Sequence, residues 1–108
     1  MRGRVGLRAR TDFRVVSKTG SLRAHFRGIE ISASGIVIDR GRRKREGGLL
    51  QTLELYLPER RRPLRAVARS VWVSGSQQAL KFVSISDADR LSLAEHLDLQ
   101  SRRGVPLN

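Results

Sequence analysis

The chain has 108 residues, room for one domain of ordinary size. It holds no cysteine, which removes disulfide scaffolds, thiolate metal sites and thiol nucleophiles together. The net charge is +12, and nineteen of the 22 basic residues are Arg, so anionic partners are favoured.

Residues 1–21 are polar and basic without sustained periodicity and read as a flexible N-terminal arm. The segment Met1-Arg-Gly-Arg-Val-Gly-Leu-Arg8 has charge but no apolar h-region. No apolar run approaches the roughly 20 residues of a bilayer span, so a cytoplasmic protein with no membrane span is expected. From Leu22 the pattern becomes strand-like, with Leu22, Ala24 and Phe26 alternating with Arg23, His25 and Arg27. After Gly28 the phase slips by one residue, because Ile29 and Ile31 are now the apolar set, and such a slip predicts a bulge. Ser32-Ala33-Ser34-Gly35 reads as a turn, with Gly35 free to take a positive φ. Ile36 to Ile38 then resumes as a strand.

Residues 39–48 are a charged loop. Leu53, Leu55 and Leu57 alternate with Glu54 and Tyr56 in a half-buried strand that Pro58 stops. After a second basic turn, Arg60 to Pro63, a long strand is expected over 64–73. Ser74-Gly75-Ser76 gives another turn, and Leu80 and Phe82 flank Lys81 in a last short strand. Ser86, with Asp89 three residues on, starts a helix whose apolar face is read from Leu91, Leu93, Ala94 and Leu97. Strand signals about every 10 residues, separated by Gly and Pro turns, predict an all-β antiparallel barrel or sandwich carrying one C-terminal helix. The chain divides as an arm over 1–21, a barrel with its helix over 22–99, and a tail over 100–108.

The chemistry concentrates in two stretches. Glu30 and Ser32 project on one strand face about 7 Å apart, an acid beside a hydroxyl at a turn. Upstream, Arg10 and Arg14 stand four apart, and Arg forks can grip guanine edges and phosphate while an acid accepts from the opposite guanine edge. The Arg-x-x-x-Arg spacing occurs five times in the chain, so only its order before the first predicted strand singles out Arg10 and Arg14. His25 and His96 are isolated and form no metal cluster, Trp72 reads as packing, and no nucleophile–base set or paired carboxylates appear. A binding module is expected, not an enzyme.

Arg10 to Arg14, Glu30 to Gly35, Ser70-Val71-Trp72-Val73, Ala79-Leu80-Lys81-Phe82 and the helix from Ser86 together resemble the PilZ family over residues 8–98. That resemblance implies a six-stranded barrel whose N-terminal arm folds over a bound cyclic di-GMP. It implies that Arg10 and Arg14 hold guanine and phosphate, with Arg8 the substitute if the register shifts, and that Glu30, Ser32 and Gly35 form the opposing surface. No cofactor or metal is implied, and the expected partners are cyclic di-GMP and a downstream protein. Glu30 stands where the family carries Asp or Asn, which favours a ligand-independent adaptor as the alternative. A basic barrel for RNA or single-stranded DNA is the third reading, and five aromatics are few for such a platform.

Overall fold

A computed structural model describes residues 8–41, 50–58 and 60–102. Six strands run β1 (Arg8–Thr19), β2 (Leu22–Ser32), β3 (Gly35–Asp39), β4 (Leu50–Tyr56), β5 (Leu64–Ser74) and β6 (Gln77–Ile85), followed by helix α1 (Asp87–Arg102). They form a closed barrel in the order β1-β2-β3-β6-β5-β4, with every neighbouring pair antiparallel. No helix among the described residues is long and apolar enough to cross a membrane.

The arm expected over 1–21 needs correction. Arg8–Thr19 is a strand that pairs with β2 along its length and with β4 over Arg14–Lys18. Phe13 and Val15 point into the core, and Gly20, at φ 61°, makes the tight turn into β2. Residues 1–7 lie outside the described residues, as does the charged loop beyond Gly41. The tail expected over 100–108 begins later, because α1 continues to Arg102; residues 103–108 lie outside the described residues.

The core is a cluster of Leu, Ile and Val, including Val15, Ile31, Ile38, Leu53, Leu55 and Leu80 at 1% exposure or less. Each such side chain contributes about 1.5–3 kcal/mol by leaving water. The phase slip at Gly28 is a true irregularity, since the β2–β3 register shifts between Gly28 and Glu30. β1 answers with its own shift between Arg10 and Phe13, where the Phe13 ring lies over Gly28 in the place a Cβ would need. β5 and β6 carry two more shifts, at 67/68 and 70/72.

Helix α1 closes the barrel with Leu93 and Leu97, which join the core cluster. His96 and Gln100 are buried with them, while Leu91 is 63% exposed and Ala94 is exposed. The buried face is therefore 93, 96, 97 and 100, rotated from the face the sequence suggested, because two polar residues face inward. The Ser86 cap forms as expected, with the Asp89 backbone N–H donating to Ser86 Oγ at 3.1 Å. The Asp89 carboxylate instead accepts from the Arg65 backbone N–H at 3.3 Å, which ties the helix to β5.

Gly35 does not take a positive φ; among the described glycines that conformation belongs to Gly20, Gly41 and Gly75. Its constraint is close approach, because a Cβ there would run into the Leu80 carbonyl oxygen of β6. Gly35→Ala is expected to destabilise the barrel by about 2 kcal/mol, the cost of forcing extra volume into packed backbone. Guanidinium unfolding of the variant against wild type measures this.

Candidate functional site

Strand pairing assembles a continuous row on the outer wall of the barrel. Ile31, Ile36 and Leu80 point inward, so Glu30, Val37 and Ala79 lie on the outer face. Across the strands the row reads Arg10, Glu30, Val37, Ala79, Trp72, each opposite the next. Arg8 pairs by backbone register with Ser32, Gly35 with Lys81, and Lys81 with Arg69. A cavity of about 420 Å³ opens along these rows, lined among others by Glu30, Ser32, Gly35, Trp72 and Lys81.

Within it, Ser32 Oγ serves its own turn. It accepts from the Ser34 backbone N–H at 3.2 Å and donates to the Gly35 carbonyl at 3.4 Å. The turn is tied to β6 by the Phe82 N–H donating to the Ser34 carbonyl at 2.8 Å. Trp72 is 46% exposed, because the register shift between Ser70 and Trp72 turns it out to the wall and leaves Val71 exposed beside it. The cavity thus joins an acid, a fixed turn, an ammonium group and an open indole.

Arg14 lies elsewhere. The irregularity after Arg10 puts it in a different row, between Arg27 of β2 and Tyr56 of β4. Its guanidinium stacks on the Tyr56 ring, with Cζ 4.3 Å from the centroid. It borders a second, larger groove of about 740 Å³ that includes Phe26, Arg27, Arg40 and Pro58. Exposed His25 lines this groove, and among the described residues no group of three metal-ligating side chains exists. Of the six residues singled out from sequence, the fold brings Glu30, Ser32 and Gly35 to one cavity, sets Arg8 and Arg10 opposite it by register, and separates Arg14.

Sequence reasoning passed over a charged hub beneath Tyr56. Glu54 is 5% exposed and lies 3.3 Å from Lys18 Nζ, 3.5 Å from Arg65 Nε and 3.7 Å from an Arg23 η nitrogen. The Tyr56 hydroxyl donates to Glu54 Oε1 at 3.2 Å. Burial pushes this carboxyl up, but the Lys18 hydrogen bond and charge, the Tyr56 hydroxyl and the Arg65 charge together outweigh it and hold the group below its ordinary 4.5. The signal was present in Leu53-Glu-Leu-Tyr56, whose alternation sets Glu54 and Tyr56 on the polar face.

No protein-family model matches this sequence, and no curated protein matches it either. Solved structures do. The PilZ domain of CeSA from a cellulose-synthesizing bacterium matches with a TM-score of 0.64 at 11% identity, over 87% of this chain and 97% of that one. The fold is PilZ-like. The Bacillus subtilis inhibitor of motility (MotI/DgrA) matches this PilZ-like barrel with a TM-score of 0.81 at 16% identity, over 95% of this chain and 53% of that chain. The chain therefore spans about half the length of the motility inhibitor. An uncharacterized Legionella protein shares the fold too, with a TM-score of 0.64 at 15% identity over 90% of this chain and 97% of that one.

Because the folded-state pKa of Glu54 lies below its unfolded value, its contribution to stability is complete above pH 4.5 and is lost as pH falls through the lowered value. Wild type should lose stability progressively on acidification below about pH 5. Glu54→Gln should be less stable at neutral pH by about 1 kcal/mol, discounted for the exposed cations, and should show a shallower acid slope. Denaturant unfolding across pH checks both, and identical slopes would contradict the hub.

Proposed function

We propose that the protein is a non-catalytic receptor for cyclic di-GMP that acts in the cytoplasm. The observation that carries this reading is the backbone register that sets Arg10 opposite Glu30 and Arg8 opposite Ser32, at the edge of a cavity holding Trp72 and Lys81. Each part has a task on a guanine nucleotide. The Glu30 carboxylate accepts from the N1 and N2 donors of guanine, and an Arg fork donates to O6 and N7. The Trp72 indole offers a stacking face, and Lys81 a charge for phosphate. Glu30 has one methylene more than the Asp or Asn of the PilZ pattern and keeps the same acceptor atoms.

The segment from Arg8 to Arg10 has a partner strand in β2 but none in β4, whose pairing with β1 begins at Arg14. Ligand can order this segment further without opening the barrel. Binding there would change the surface offered to a downstream protein. A second reading, a protein adaptor that needs no nucleotide, draws on the exposed apolar strip of Val71, Trp72, Val73 and Val83, at 40% to 55% exposure.

Isothermal titration with cyclic di-GMP near physiological salt tests the receptor reading. Saturable binding is expected, with Arg10→Ala and Trp72→Ala each weakening it about tenfold or more and Arg61→Ala leaving it unchanged. Absence of heat at ligand concentrations on the order of tens of micromolar favours the adaptor instead.

A further inference from the structure

Two exposed faces of the chain complement one another. On β5 and β6 the outward residues Val71, Trp72 and Val83, with Leu50 of neighbouring β4, are each between 46% and 55% exposed. Among them stand Arg69 and Lys81, directly opposite each other, with Leu50 on the other side of Arg69. Like charges facing each other across a strand pair destabilise a sheet. Around Glu54 the cations of this barrel are gathered on an acid, but no described carboxylate pairs with Arg69 or Lys81. β5 and β6 themselves contain no Asp or Glu. The face is therefore both apolar and cationic, with nothing on it to balance the charge.

Helix α1 presents the converse. Its buried side is 93, 96, 97 and 100, so the opposite side carries Asp87, Leu91, Glu95 and Asp98, all exposed. Four of the chain's ten acids fall between Asp87 and Asp98, beside a single Arg. Leu91 is the apolar centre of this acidic side. Arg90 of the helix and Val83 of β6 line one cavity of about 430 Å³, so the two faces adjoin. Adjoining complementary faces allow a two-fold exchange, in which each copy's helix covers the other's strands and the contact closes at two.

We propose that the β5–β6 face binds α1 of a second copy of this chain in a reciprocal dimer. Leu91 lies against the surface of Val71, Trp72 and Val83, and the helix acids face Arg69 and Lys81. The apolar share of the face argues for protein over nucleic acid, and its lack of acids argues for an acidic partner surface. The net charge of +12 repels two copies at a distance, but physiological salt screens charges more than about 8 Å apart and leaves the contact charges to decide. Trp72 and Lys81 also line the Glu30 cavity, so assembly is measured without nucleotide, and its failure leaves the receptor reading untouched.

Sedimentation velocity at physiological salt, over protein concentrations from about 1 to 500 µM, is the test. Wild type should pass from monomer to dimer within that range. Lys81→Glu and Glu95→Lys change exposed side chains, and each should raise the dissociation constant about tenfold or more. An equimolar mixture of the two variants should restore association, because the mixed dimer again sets opposite charges face to face. Leu91→Ala should weaken the dimer severalfold, while Arg27→Ala, on β2 at the opposite wall of the barrel, should leave it unchanged. Monomer at every concentration overturns the proposal and leaves the β5–β6 face to a different protein. A dimer that ignores Lys81→Glu, Glu95→Lys and Leu91→Ala, or charge variants whose mixture does not recover, places the contact elsewhere and overturns it equally. A ladder of growing oligomers contradicts the reciprocal closure.

Discussion

The pairing of β1 with both β2 and β4 turns a curved sheet into a barrel, and the wall that carries both cavities depends on it. Without that strand, β2 and β4 would each expose a row of unpaired backbone groups, and Phe13 and Val15 would leave the core. The same pairing fixes the chemistry. It sets Arg10 across from Glu30, and by inserting an irregularity before Phe13 it carries Arg14 into another row. Closure and site geometry are consequences of one strand's register.

Charge on the outer wall is organised rather than merely abundant. Glu54 is nearly buried and draws in three cations that would otherwise repel one another along β1, β2 and β5. Its bond to the Tyr56 hydroxyl links that electrostatic centre to the ring under Arg14. A chain with a net charge of +12 can thus hold a cationic face in a defined shape while leaving Arg14 and Arg27 turned toward solvent.

Five of the six strands were legible because their apolar residues alternate and their turns carry Gly, Ser or Pro. β1 was hidden for two reasons: its apolar residues sit among arginines and lysine, and Val15 and Val16 are both buried, which breaks the period of two. The helix was visible but its buried face was not, since His96 and Gln100 face inward. In the site, Glu30, Ser32 and Gly35 were readable because they lie close together in sequence, at the end of β2 and the turn into β3. The separation of Arg10 from Arg14 was not, because an irregularity changes which residues share a face without altering their spacing in sequence. Trp72 escaped for the same reason: only the pairing of β5 with β6 reveals that it faces outward next to the cavity.

The central claim is that the N-terminal half of β1 and the Glu30–Gly35 turn are the two sides of one nucleotide site. Amide hydrogen exchange with and without saturating cyclic di-GMP tests it most directly. The account predicts slowed exchange concentrated at residues 8–14 and 30–35, with the distant Ser74–Gln77 turn unchanged. Bound ligand that leaves both segments at their free-state rates, or that protects only a surface remote from them, would contradict it.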